Sequence, residues 1–119
     1  MGTSKSGKLA RQWTGGALMF SGRADPTWTV DQGVARRLVT LWASLPPWKG
    51  PLPRAPALGY RGSFVRNAEM NEWFAYGGVV IEKTAGSSDL REDRGRQFEK
   101  LLLKSAPKGV IPTSSIDIP

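Results

Sequence analysis

The chain has 119 residues, of which 39% are hydrophobic and 23% charged. This length fits one domain, and this balance is typical of a globular protein rather than a disordered one. The chain contains neither cysteine nor histidine, which excludes disulfides, thiol nucleophiles, zinc sites built on these residues and histidine-dependent catalytic triads. The sequence indicates no cofactor and no metal site.

The chain is basic, with 17 lysines and arginines against 10 acids and a net charge of +7. A basic protein is attracted to nucleic acids and to anionic surfaces. Three of the cations, Lys5, Lys8 and Arg11, fall within residues 1–13, which we predict to be a flexible N-terminal arm. The remaining positive charge is scattered, which is more typical of a solvated surface than of a docking face.

The first residues also bear on membrane attachment and location. Gly2 begins the Met-Gly-x-x-x-Ser pattern of N-myristoylation, although we favour the interpretation of a plain leader. The segment lacks the apolar core of a secretory signal, and no window approaches the roughly 20 apolar residues of a membrane span. We therefore expect a cytoplasmic protein without a transmembrane segment.

The first half of the chain predicts a strand, a helix and a connector. A short apolar run at 16–21 is typical of a buried strand. A Thr-x-x-Gln capping box at Thr29 and Gln32 predicts the start of a helix, which apolar residues at spacings of three and four continue to Leu45. Two prolines end this helix, and the proline-rich stretch 46–57 is predicted to be a stiff, irregular connector.

The second half predicts two strands and a helix. Alternation at 58–66 and a longer β-rich run at 72–83 indicate strands joined by a loop, with Gly77-Gly78 marking a bulge or a close backbone approach. A turn at 85–89 precedes a helix from about Asp93 to Ser105, and 107–119 form a C-terminal tail. We therefore predict an α+β two-layer sandwich over 14–106, in β-α-β-β-α order, with two helices on one face of a three-stranded sheet.

Three segments resemble a family of small, mostly bacterial proteins without an assigned function. They are Phe-Ser-Gly-Arg-x-Asp-Pro-x-Trp at 20–28, Leu-Gly-Tyr-Arg-Gly-Ser-Phe-Val at 58–65 and Gly-Arg-Gln-Phe-Glu-Lys-Leu-Leu-Leu-Lys at 95–104. The family often has Gly-Arg-Pro-Asn-Pro in the first motif, so Ala24 and Asp25 depart from its pattern. The resemblance implies a compact, single-domain protein and supplies no catalytic residues.

The densest group of specifically placed residues is the corner at 22–28. Arg23 can act as an anion clamp with Trp28 as a wall, Arg61 on the adjoining strand, and the backbone amides of the following helix as further donors. In the structural alternative, Asp25 accepts backbone amides in an Asx-type turn and pairs with Arg23. The residue types fit both interpretations, and isolated Arg/Asp pairs in turns are more often structural.

A basic and aromatic strand face is the second candidate site. Its members are cations and aromatic rings close in sequence, which is compatible with binding of single-stranded nucleic acid: Arg54, Arg61, Arg66, Trp48 and Tyr60. No RNP-like, KH or zinc pattern accompanies them. Aromatic residues at strand spacing usually belong to a core, so the structural alternative is again the stronger one.

Catalysis is the third possibility, with Asp25 or Glu72 as the reactive carboxylate. No pair of acids has a recognisable acid/base or metal-ligand spacing, and no Gly-Lys-Ser/Thr follows the paired glycines. We therefore expect a non-enzymatic binding module for a protein or peptide partner, with the 22–28 corner as its surface. Nucleic-acid binding and a carboxylate-dependent enzyme are the alternatives.

Overall fold

A computed structural model describes residues 12–19, 24–55, 59–69 and 71–111. In these residues six antiparallel strands form one sheet with the order β2-β1-β3-β4-β5-β6. The elements, in chain order, are β1 Trp13–Ala17, β2 Thr27–Val30, α1 Gln32–Ser44, β3 Ser63–Arg66, β4 Glu72–Tyr76, β5 Val79–Thr84, β6 Ser87–Glu92, a 3-10 turn Arg94–Arg96 and α2 Gln97–Lys104.

The α+β class agrees with the sequence prediction, but the three-stranded sheet in β-α-β-β-α order is wrong. The described part of the chain has six strands rather than three. One additional strand, β2, occupies residues predicted to begin the helix, and another, β6, occupies residues predicted as a turn and the approach to α2. The third arises because the predicted strand at 72–83 is two strands.

The division of 72–83 depends on its two glycines. Gly77 and Gly78 have φ values of 61° and 92° and connect β4 to β5. Positive φ at both central residues is the geometry of the tight type I′ hairpin turn, which glycine adopts without a Cβ clash. Gly77-Gly78 therefore forms a turn that reverses the direction of the chain. The predicted bulge within one continuous strand is wrong.

Helix α1 begins later than its capping box predicts. Its N-cap is Asp31, whose Oδ2 accepts a hydrogen bond from the Gly33 amide at 2.9 Å. Thr29 instead lies in β2, where Trp28 and Val30 are buried and the two threonines are exposed. The alternation of Thr27 to Val30 suits a half-buried strand, and this tertiary burial prevails over the local capping pattern.

The main core lies between one face of the sheet and both helices. Strand residues on this face include Trp28, Val65 and Val80, and they form one buried cluster with Leu38 of α1 and Leu102 of α2. Both helices therefore bury one stripe each and leave their remaining residues facing solvent or each other. Neither of these helices is long and apolar enough to cross a membrane.

The opposite face of the sheet carries aromatic side chains. Phe64 and Phe74 are cross-strand partners on β3 and β4, and the Phe64 ring covers Gly16 of β1 so closely that a Cβ there would lie 2.2 Å from ring carbon Cζ. Residues 52–55 of the proline-rich segment meet Phe74 and its neighbours around an apolar cavity of about 120 Å³. Thus the predicted connector packs on the sheet.

Candidate functional site: a basic groove between the helices

The predicted corner at 22–28 is described only in part. Asp25 Oδ1 accepts a hydrogen bond from the Met19 amide at 2.8 Å. Met19 lies six positions before Asp25, so this contact differs from the Asx-type turn of the structural alternative, in which the acceptor bonds an amide that follows it. Trp28 is 6% exposed, and its Nε1 donates to Ser105 Oγ at 2.8 Å. Arg23, the proposed anchor, lies outside the described residues, so its role in binding stays a prediction.

The residues of the predicted nucleic-acid face have separate environments. Arg66 lies 4.8 Å from the centroid of the Phe64 ring, while Trp48 donates from Nε1 to the Pro51 carbonyl at 3.2 Å. Arg54 is exposed on the proline-rich segment, and Arg61 is half-buried. Tyr60 donates its hydroxyl proton to Glu99 of α2, so its polar end is directed toward the helix layer.

The carboxylates proposed for catalysis are also accounted for locally. Glu72 is half-buried on β4, where its cross-strand neighbours in the register are Arg66 on β3 and Lys83 on β5. Asp25 accepts the hydrogen bond from the Met19 amide described above. Over the described residues, no group of three or more acidic side chains could hold a metal ion.

A groove of about 890 Å³ runs between α1 and α2. Its charged lining is basic and comes from both helices: Arg36 and Arg37 on α1, and Lys100 and Lys104 on α2. The remaining lining is apolar or neutral: Val34, Thr40, Leu41, Ser44, Gln97, Leu101 and Ser105. The groove therefore has an apolar floor and cationic walls, and none of the described residues that line it is acidic.

Helix periodicity explains why these side chains meet. Buried Ala35, Leu38 and Trp42 fix the core face of α1, so the residues beside that stripe, such as Val34 and Leu41, turn toward the neighbouring helix. On α2 the core stripe is Phe98, Glu99 and Leu102, and the same rotation brings Leu101 and the two lysines to the groove.

Within the described part of the chain, the four groove cations form no ion pair. The ion pairs among the described residues join Arg91 to Asp89, Arg94 to Glu92 and Arg96 to Glu99, and none includes a groove cation. Four like charges in one concave surface attract anions, because the low-dielectric walls concentrate their field. The groove is therefore an anion-attracting surface with apolar contacts available beneath it.

A polar cluster fixes the start of α2. Asp93 accepts hydrogen bonds from the Phe98 and Glu99 amides at 2.9 and 3.1 Å. Glu99 is 0% exposed and accepts two hydrogen bonds from Arg96, at 2.9 and 3.0 Å. Arg96 has a left-handed backbone with φ 56°, a conformation that costs a non-glycine residue free energy, and the paired contact with Glu99 offsets that cost.

Burial perturbs the titration of this cluster. Loss of hydration raises the pKa of the Tyr60 phenol, and its hydrogen bond to Glu99 raises that pKa further. Burial also raises the pKa of Asp93, against the opposing effect of the two amide hydrogen bonds. The hydrogen bond to Glu99 raises the pKa of Arg96. These groups hold α2 in place, and through α2 they position Lys100 and Lys104.

Ser63 adjoins the cluster from β3. It is 0% exposed, and its hydroxyl lies near the Tyr60 phenol without a partner at hydrogen-bond geometry. The residues of this cluster do not line the described cavities of about 890, 440 and 120 Å³. The contacts of this cluster are those of a structural element that fixes the start of α2.

Comparisons with family models, with curated proteins and with solved structures gave no significant match to this chain. The resemblance of the three sequence motifs to an uncharacterised bacterial family therefore stays a prediction. The groove cations were missed at the sequence level. Their signal was present, because Arg37 and Lys100 each lie next to the apolar stripe of a predicted helix, but no local pattern indicates that the two stripes are neighbours.

Proposed function

We propose that the protein is a non-enzymatic binding module that holds an acidic segment of a partner protein in the groove between α1 and α2. The observation that carries this proposal is a set of four cations around one groove with an apolar floor: Arg36, Arg37, Lys100 and Lys104. None of them forms an ion pair with another residue that the structure describes. Carboxylates on a partner would complement these charges, and its apolar side chains would cover the floor.

The floor favours a protein over a nucleic acid. Val34, Leu41 and Leu101 are half-buried and aliphatic, so they gain from contact with apolar side chains. Single-stranded nucleic acids are bound with aromatic platforms on which bases stack, and no aromatic residue is among the described residues that line this groove. Cations alone would still attract phosphates, so nucleic-acid binding is the competing outcome of the experiment below.

The groove replaces the 22–28 corner as the proposed surface because of Trp28. Its ring belongs to the core cluster, whereas an exposed wall would be needed for a binding cleft. Its indole N–H supports Ser105, which lines the groove. Trp28 thus contributes to the proposed site from beneath, as a structural residue.

The proposal can be tested with two labelled probes, a short peptide rich in glutamate and leucine and an oligothymidylate of similar length. Fluorescence anisotropy should give measurable peptide binding that weakens as salt rises from about 50 to about 500 mM, because the interaction is electrostatic at the rim. Arg37→Gln combined with Lys100→Gln should weaken peptide binding about four- to twenty-fold, since each lost surface pair is worth up to about 1 kcal/mol.

The matched control is Lys49→Gln combined with Lys83→Gln, which removes the same charge from exposed positions that do not line the groove. Peptide binding by this variant should stay within about two-fold of the parent protein. Equal losses of peptide affinity in both variants would show that binding depends only on the net charge of the protein, which would overturn the proposal. Tighter binding of the oligonucleotide than of the peptide, lost in the groove variant, would assign the groove to nucleic acid instead.

A further inference from the structure

We infer that the segment held in the groove is an amphipathic acidic helix of about three turns, an inference that rests on the proposed function and names the conformation of the partner. Both walls of the groove are helices, and this determines which backbone hydrogen-bonding groups a partner would meet. The amides and carbonyls in the middle of a helix are already bonded within it. Neither wall therefore offers the row of free backbone groups that an extended peptide uses when it adds to a sheet edge.

Two of the four neutral polar side chains of the lining, Ser44 and Ser105, already have hydrogen-bond partners within the protein. Ser44 Oγ donates to the Leu41 carbonyl at 2.7 Å. Ser105 Oγ donates to the Leu102 carbonyl and accepts from the Trp28 indole. An extended peptide pressed onto the floor would thus bury backbone groups with few partners, which is costly. A helical partner satisfies its own backbone and avoids this cost.

The dimensions of the groove set the length of the helix. Along α1 the lining extends from Val34 to Ser44, a distance of roughly 15 Å at 1.5 Å per residue. That distance corresponds to about three turns. Val34 and Leu41 are two turns apart on the same side of α1, the spacing at which apolar residues of a packed helix repeat, and Leu101 faces them from α2.

The charges set the sequence pattern of the helix. Because cations stand on both walls, Arg37 on α1 and Lys104 on α2 among them, the apolar stripe of the partner must be flanked by carboxylates on both sides. The partner is therefore a helix with apolar residues at the first and fourth positions of a seven-residue repeat. Its acidic residues lie at the positions that flank this apolar stripe, as charged residues flank the apolar seam of a coiled coil.

The experiment uses three synthetic peptides of identical composition apart from one residue, each of about three to four turns if helical. One has the acidic amphipathic order, the second has the same residues scrambled, and the third has the amphipathic order with a central alanine replaced by proline. Circular dichroism of the mixture, minus the separate spectra, should show helix gained only with the first peptide. Its affinity should exceed that of the other two by about ten-fold or more.

The variants of the protein test both walls. Arg37→Gln alone and Lys104→Gln alone should each weaken binding of the amphipathic peptide about two- to five-fold, the effect of losing one surface ion pair. A second outcome is that all three peptides bind equally well and lose that binding in the variant carrying Arg37→Gln and Lys100→Gln. This result would contradict the helical conformation of the partner but would agree with the proposed binding of an acidic segment. No binding of any peptide would overturn both.

Discussion

Tyr60, which precedes β3, donates its phenolic proton to Oε2 of Glu99, a buried residue of α2 that lies 39 positions later in the chain. The same carboxylate oxygen accepts from Arg96 Nη2 at 3.0 Å. One buried carboxylate therefore links the sheet layer to the start of the second helix. Since α2 carries one wall of the groove, this link connects the stability of the fold to the geometry of the proposed binding surface.

Replacement of Tyr60 by phenylalanine should lower the free energy of unfolding by about 1.5–3 kcal/mol, the net value of a hydrogen bond to a charged acceptor. It should also change the alkaline limit of stability. The folded-state pKa of Tyr60 lies above its unfolded value. The contribution of Tyr60 to the free energy of unfolding is therefore lost as pH rises past the ordinary tyrosine pKa near 10.

Urea unfolding at neutral pH and above about pH 10 checks this sign. The parent protein should lose stability over that range faster than Tyr60→Phe does. A parallel loss in both proteins would show that Tyr60 ionises as freely in the folded chain as in the unfolded one.

Asp93 should give a pH dependence at the acidic end. Its folded-state pKa is raised, with burial as the main cause, so the folded protein binds this proton more tightly than the unfolded chain. The stabilisation from the protonated form is complete below the unfolded pKa near 4 and is lost as pH rises through the folded pKa. Relative to Asp93→Asn, the parent protein should therefore lose stability as pH rises above about 4.

Asp93→Ala separates this titration from the capping role. It removes both acceptors of the Phe98 and Glu99 amides and should cost about 1–2 kcal/mol, as loss of a helix cap does. Chemical denaturation of the three proteins at two pH values gives both quantities. A variant Asp93→Ala as stable as the parent would contradict the assignment of Asp93 as the cap of α2.

Gly16 should tolerate no side chain while Phe64 is present. An added Cβ would approach the Phe64 ring to within 2.2 Å, and overpacking of this kind typically costs about 1–3 kcal/mol. Gly16→Ala should therefore destabilise the protein, and Phe64→Leu, which lacks the outer ring atoms, should recover part of that loss in the double variant. Thermal unfolding of the four proteins in this cycle measures the interaction, and additive losses would contradict the contact.

The fold was predictable from the sequence where a buried stripe repeats over many residues. The periodic apolar residues of α1 identified the helix, and the prolines after Ser44 marked its end. β2 escaped prediction because four residues carry little periodicity and Thr29 with Gln32 imitates a capping box. β6 is largely exposed and polar at its start, so it lacks the alternation that indicates a strand.

The site was less predictable because it is a tertiary feature. Gly77-Gly78 could have indicated a hairpin from its glycine pair alone. No local sequence pattern, however, indicates that Arg37 and Lys100 face the same groove, because that depends on how the two helices cross the sheet. The corner at 22–28 attracted attention because its residue types are unusual, and Trp28 there supplies its ring to the core.

The most direct measurement of the central claim is a map of amide chemical-shift changes in the protein when the amphipathic acidic peptide is added. The proposed groove predicts that changes concentrate in 34–44 of α1 and 97–105 of α2, whose side chains line it. Changes concentrated instead around Arg61 and Arg66, with α1 and α2 unaffected, would contradict it.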